Sequence, residues 1–171
     1  FAAACNTGAH EARGDVLVFL NNDCTPQEDW LAPLLAALDE GAGIAGPLLR
    51  FPDGRIQSAG LVQRDGGTWW NKDMVWFGEG GRLPPREEFA VTGACLAIRR
   101  DVFWRVGGFD ESFEGGGGCE DVDICLRARA QDLRVVLVPE SVVIHREGST
   151  RFHMESGYQQ EQVQGQIARN Q

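Results

Sequence analysis

Val16, Leu17, Val18, Phe19 and Leu20 form an unbroken apolar run, and the run stops at once at Asn21-Asn22-Asp23. A strand without polar alternation has to be covered on both faces, which calls for a sheet with helices on either side. The abrupt stop puts Asn21, Asn22 and Asp23 just past the carboxyl end of that strand, where open α/β sheets collect their ligands. A chain of 171 residues with 43% hydrophobic and 24% charged content holds the material for one such domain over residues 1–171 and argues against disorder.

The rest of the chain supplies the elements around that strand. Thr25-Pro26-Gln27-Glu28 combines an N-cap, a proline at the first helical position and a capping-box acid, predicting a helix through Leu38. Segments 44–51 and 56–62 flank Pro52-Asp53-Gly54-Arg55, whose Asp-Gly step predicts a hairpin turn. Residues 63–88 read as a long loop in which Trp69, Trp70, Trp76 and Phe77 either pack over the sheet or line a sugar site. Residues 89–98 read as a second buried strand, 100–106 as a short helix, and 107–118 as a mobile loop containing Gly115-Gly116-Gly117-Gly118. Helical spacing over 120–130 puts Val122, Cys125, Leu126 and Arg129 on adjoining faces, with strands following at 133–138 and 141–144 and a polar helix at 157–169. The alternation is that of an α/β domain whose sheet a hairpin makes mixed.

Charge narrows the partners. Against 16 Lys and Arg stand 25 Asp and Glu, and the net charge of -9 repels nucleic acid. It equally opposes a diphosphate-bearing substrate unless a cation or a local arginine cluster offsets it, which makes a metal site worth seeking. The five cysteines are odd in number and scattered, with no C-x-x-C pair, so a reducing cytosol is favoured over a disulfide framework or a zinc knuckle. No apolar run reaches the length of a membrane-spanning helix. The chain opens at Phe1 without Met and stops inside a polar stretch, and both ends read as cuts.

Asp23 is a candidate ligand for a divalent cation, with an Asx turn ahead of the Thr25 cap as the equally available structural role. His145 follows another apolar strand and offers an imidazole suited to manganese, iron or zinc, although a hydrogen-bonded structural histidine is the commoner outcome at such a place. His10 and His153 sit in polar surroundings and carry no such argument. Glu120-Asp121-Val122-Asp123 sets acids at a helix start, where the dipole stabilises them and Asp123 can pair with Arg127 one turn on. One of those acids can instead face a bound hydroxyl and take its proton.

In order, Asn6-x-Gly8, Ala12-x-Gly14-Asp15, Phe19 to Asp23, Trp30-Leu31, Asp53-Gly54-x-Ile56-Gln57-x-Ala59-Gly60, Thr92-Gly93-Ala94-Cys95, Arg99-Arg100, Gly107 to Glu111, Glu120 to Arg127, and Val138-Pro139 through His145 resemble the family 2 glycosyltransferases, especially the rhamnosyltransferase-like bacterial branch. The resemblance covers nearly the whole chain. It implies a GT-A fold, Rossmann-like, with a mixed central sheet and flanking helices, lacking the first β-α-β segment. It also implies an inverting, metal-assisted transfer from a nucleotide sugar, a UDP- or dTDP-sugar, to a glycan or lipid-linked acceptor hydroxyl in cell-surface polysaccharide assembly. On that likeness Asp121 is the general base, and Glu120 and Asp123 are its acceptor-side neighbours. Asp23 and His145 hold a divalent cation, magnesium or manganese, and Asn6, Gly8, Asn21, Asn22 and Gly93 line the donor. The implied place of work is the cytoplasm, with the inner face of the membrane as an extension of it.

Three features depart from the family pattern. Asn21 stands where a first acid is usual, Gly115 to Gly118 replace aromatic residues before the acidic pair, and the chain begins after the segment that holds base and ribose. The strand at 16–20 is therefore expected to be left without a neighbour, and the isolated piece to be aggregation-prone and inactive. The competing readings are a sugar-phosphate nucleotidyltransferase and a non-catalytic carbohydrate-binding relative.

Overall fold

The computed structural model of the chain describes residues 1–63, 69–71, 83–113 and 119–146. Trp76, Phe77, the glycines 115–118, His153 and the helix expected at 157–169 lie outside the described residues.

The elements run in the order α1 (Ala2–Glu11), β1 (Val16–Leu20), β2 (Cys24–Pro26), α2 (Leu31–Asp39), β3 (Ala42–Arg50), β4 (Ile56–Ser58), β5 (Leu61–Gln63), β6 (Trp69–Asn71), β7 (Arg86–Glu87), β8 (Cys95–Arg99), α3 (Arg100–Arg105), α4 (Glu120–Arg129) and β9 (Arg134–His145). The main sheet is mixed, in the order β1-β8-β3-β9-β2, with β4 added to β3 and β7 to β9. β8 is antiparallel to both β1 and β3, while β9 runs parallel to β3. It follows that β1, β3 and β9 all end at the same edge of the sheet. β8 begins at that edge, and so does β4, which is antiparallel to β3.

Each face of the sheet has its own core. Leu17 and Phe19 of β1 join Ile44, Leu96, Phe103, Phe109 and Val122 on one side, and Val16 and Val18 pack against Leu34, Leu38, Ala45 and Ala97 on the other. The unbroken apolar run is thus covered from both faces, as its composition requires. β1 is expected to lack a neighbour; it pairs with β8 on one side, from Val16↔Arg99 to Leu20↔Cys95, and among the described residues its other side is the open end of the sheet. The five thiols are free, so no disulfide holds these layers together.

Four local readings change. Thr25 does not cap a helix; it pairs with Ile144 in the short edge strand β2, where Pro26 needs no ladder donor. Asp29 then takes a left-handed conformation with φ 55, and α2 starts only at Leu31. The strand expected over 89–98 begins at Cys95, because Ala90 bridges to Leu61 and the segment before Cys95 bends across the sheet edge. The two strands expected around Pro139 are one strand, β9, whose register against β3 skips from Val138 to Val142 at a bulge. The long loop carries structure too, with β5 and β6 forming a hairpin on which Trp69 packs against the core while Trp70 stays exposed.

The predicted turn at Asp53-Gly54 is present, with Gly54 at φ 87 and its N–H donated to the Phe51 carbonyl at 2.9 Å. Helices α3 and α4 lie where expected, but Leu126 faces solvent and Ile124 and Ala128 join Val122 and Cys125 in the core. Helix α1 carries no apolar stripe that announces it; only Ala2 and Ala9 are buried on it.

Candidate active site at the carboxyl edge of the sheet

Asn21, Asn22 and Asp23 carry the chain across the sheet edge, from β1 at one end of the strand order to β2 at the other. Two backbone bonds fix the crossing: Asn21 N–H donates to the Ala94 carbonyl at 2.9 Å, and Cys24 N–H donates to the Asn21 carbonyl at 3.1 Å. Asp23 is thereby brought to the end of β9, where Cys24 pairs with His145. His145 Nε2 stands 3.2 Å from Asp23 Oδ1, with side chains only 12% and 14% exposed, and the other ring nitrogen, Nδ1, stands 2.9 Å from Gln57 Oε1. Asp23, Cys24 and His145 each bring a ligand atom within 4.8 Å of the others. The Cys24 thiol lies 3.4 Å from the Ala94 carbonyl as a donor, and burial, reinforced by the Asp23 charge beside it, pushes its pKa up to about 11. The Asp23 oxygen and the His145 imidazole nitrogen form a donor set suited to magnesium, manganese, iron or zinc, with the Cys24 sulfur beside them.

Asp121 joins the same edge through the residue before Ala94. Gly93 N–H donates to Asp121 Oδ2 at 2.7 Å, and Val122 N–H donates to Oδ1 at 2.8 Å. Gly93 favours this approach, since a Cβ there would lie 3.1 Å from the Asp121 Cβ, and Asp121 would have to shift by a few tenths of an ångström. Burial raises the Asp121 carboxyl above the ordinary carboxylate range; the Gly93 N–H pulls it back and the Glu120 charge pushes it further up. Consecutive residues therefore tie the two corners together, Gly93 to Asp121 and Ala94 to Asn21 and Cys24. Glu120 is buried beside Asp121, whereas Asp123 is spent on Arg127, 2.6 Å away in the pairing expected from its spacing.

Residues 1–107 match the model of glycosyl transferase family 2, and residues 84–155 match that of the N-terminal domain of galactosyltransferase. The chain belongs to glycosyl transferase family 2. It is 38% identical over 161 residues to the O-antigen biosynthesis protein RfbC of Myxococcus xanthus, covering 88% of this chain and 12% of that protein. It is 36% identical over 160 residues to the protein y4gI of Sinorhizobium fredii, covering 90% of this chain and 18% of that one. The chain thus spans under a fifth of either relative's length. Among solved structures, GalNAc-T7 with UDP, GalNAc and Mn2+ superposes with a TM-score of 0.69 at 23% identity, over 85% of this chain and 30% of that one. The mannosyltransferase PcManGT of Pyrobaculum calidifontis, in complex with GDP-Man and Mn2+, gives 0.56 at 19% identity, over 90% and 38%. These likenesses establish the GT-A glycosyltransferase fold.

Of the residues the family 2 likeness placed at the donor, Asn21, Asn22 and Gly93 lie at this edge, with Asn22 exposed. Asn6 is occupied elsewhere: its amide donates to the Phe109 carbonyl at 2.9 Å and to Glu111 at 2.8 Å, and its oxygen accepts from Phe109 N–H at 3.0 Å. It clamps the turn at 107–111 onto α1, a structural task for an Asn-x-Gly in this family member. Gly8 lies exposed on α1, with nothing within 4 Å of an added Cβ. Two residues of the site escaped the sequence reading. Cys24 had its adjacency to Asp23 as a signal, and Gln57 stood within the Asp53-Gly54-x-Ile56-Gln57-x-Ala59-Gly60 segment of the family likeness, with no role attached to it.

Proposed function

We propose that this chain forms the metal and acceptor side of an inverting glycosyltransferase that moves a sugar from a UDP- or dTDP-sugar to a hydroxyl of a glycan or lipid-linked acceptor. The observation that carries the reading is the 3.2 Å approach of His145 to Asp23 at the sheet edge that also holds Asp121 through Gly93. The donor set fits a divalent cation, magnesium or manganese, which when bound supplies positive charge for the leaving diphosphate. Asp23 and His145 would hold it, and Asn21 and Asn22 lie on the same crossing, where the donor phosphates come. Asp121 supplies the base. Each of its oxygens gives one lone pair to a backbone N–H and keeps another for a proton. The acceptor oxygen attacks the anomeric carbon as its proton passes to Asp121, and the bond to the diphosphate breaks with its electron pair leaving on the phosphate oxygen. One displacement of this kind inverts the anomeric centre. Burial, with the charge of neighbouring Glu120 adding to it, keeps that carboxyl avid for the proton.

The name of the Myxococcus xanthus relative, an O-antigen biosynthesis protein, supports a cell-surface polysaccharide as the product and hence a cytoplasmic or inner-face place of work. No helix among the described residues is long and apolar enough to cross a membrane. Neither the nucleotidyltransferase reading nor the carbohydrate-binding reading gains an observation from the structure.

The test uses the intact protein with a panel of nucleotide sugars, following nucleoside diphosphate release with manganese and after chelation. Metal-dependent release, with a product of opposite anomeric configuration to the donor, is expected. Release that chelation leaves unchanged, or a product that keeps the donor's configuration, sinks the mechanism.

A further inference from the structure

Gln57 is 1% exposed, an amide held in β4 between Ile56 and the Ser58 that pairs with Leu49. Leu49 pairs on its other side with Val143 of β9, so β4 and β9 flank β3 and come together at its carboxyl end. There Gln57 Oε1 meets His145 Nδ1 at 2.9 Å. We propose that Gln57 is a positioning residue that sets the tautomer of His145, so that the bare Nε2 lone pair faces a cation shared with Asp23. This rests on the reading of Asp23 and His145 as cation ligands.

The chemistry of the amide oxygen makes the case. It accepts hydrogen bonds and has no proton to give, so the ring nitrogen against it carries the hydrogen, and the neutral ring's other nitrogen is left with a lone pair. That nitrogen is the one 3.2 Å from Asp23 Oδ1. A lone pair facing a carboxylate is repulsive by itself and becomes favourable when both atoms turn to one positive ion. The separation suits two neighbouring ligands of a single ion, since bonds of about 2.1 Å at a right angle put ligand atoms about 3 Å apart. Partners that fix a metal-binding imidazole in this way are worth roughly 10- to 100-fold in metal affinity.

The opposite arrangement, with the amide turned over and Nε2–H donated to Asp23, would make the pair an ordinary hydrogen bond and leave Gln57 a packing residue. The two states are separable in the intact, metal-free protein by long-range proton–nitrogen NMR of the His145 ring, assigned with His145→Gln. The Nδ1–H tautomer is expected; the Nε2–H tautomer overturns the proposal without any change to Gln57. Manganese binding, read from the free-ion spin signal, then tests the consequence. Gln57→Leu is expected to weaken binding about 10- to 100-fold, while Gln57→Glu, which keeps an acceptor toward Nδ1, stays within about threefold of wild type. Gln57→Leu at wild-type affinity, or Gln57→Glu as weak as Gln57→Leu, removes the positioning role. His145→Ala measured alongside separates the two readings: if it binds manganese as wild type does, the cation site itself is wrong, whereas its loss with Gln57→Leu unaffected defeats Gln57 alone.

Discussion

At the Asp23 corner the ends of two strands remote in sequence bring two side chains face to face, and their polar atoms are turned toward each other. At the Asp121 corner, a single helix start, both carboxylate oxygens are turned onto backbone amides, and the acid next along the run is tied to Arg127. The difference matches two chemical tasks. An ion is held by side chains that converge from separate elements, whereas a proton acceptor works best when rigid donors fix its oxygens and burial raises its affinity for the proton. Three ligand-type atoms converge within 4.8 Å at the Asp23 corner, which is the arrangement the proposed cation needs.

The sharpest way to break this contrast is Asp121→Asn in the intact enzyme. Loss of a general base is expected to lower sugar transfer by about 10²- to 10⁴-fold in steady-state assays while manganese affinity stays unchanged. Transfer at the wild-type rate would return the corner to a purely structural role. Next in size, His145→Ala should weaken manganese binding by at least the roughly 10- to 100-fold that supporting residues of metal sites give. If manganese instead follows Asp121→Asn, the two corners have been assigned the wrong way round.

A smaller effect concerns pH. The Asp121 carboxyl is raised above its ordinary value of 3.8, chiefly by burial. Between that value and the raised one, the folded chain holds a proton that the unfolded chain has lost, so stability falls as pH rises through the window and stays lowered at neutral pH. Asp121→Asn removes the loss. Its thermal midpoint at neutral pH should exceed that of wild type, and the advantage should vanish below pH 3.8. The acid limb of the transfer rate should likewise lie above the ordinary carboxylate range. A variant less stable than wild type at neutral pH would show that the Gly93 and Val122 bonds outweigh burial.

Smallest of all, Asp123→Asn loosens a partly exposed i,i+4 pair with Arg127 and should cost about 0.3–0.5 kcal/mol in chemical denaturation, with transfer nearly intact. A large loss of transfer would move Asp123 from the helix surface into the acceptor site.

Much of this was legible beforehand where a local pattern had a single physical outcome. The run from Val16 to Leu20 called for a strand covered on both faces, Asp53-Gly54 for a tight turn, and the spacing of Asp123 and Arg127 for a one-turn pair. Reading failed where a local pattern lost to a sheet edge. Thr25-Pro26-Gln27-Glu28 carries every sign of a helix start, yet pairing Thr25 with Ile144 recovers backbone bonds beside β9, and the helix waits until Leu31. The bonds of Asn6 to Phe109 were not legible either, because that partner lies on a turn that no spacing rule connects to it.

The sequence by itself determined the class of fold, the apolar strand with its polar stop, and the acids of the helix start, since each depends on contacts within a few residues. Only the tertiary structure decided which of those polar groups meet. Parallel β1, β3 and β9 end at one edge while antiparallel β8 and β4 begin there, so Asp23 after β1, Gly93 before β8, Gln57 in β4 and His145 at the end of β9 arrive at the same edge. Strand order, not sequence distance, sets that convergence, because hydrogen bonding between strands places residues side by side without regard to how much chain lies between them.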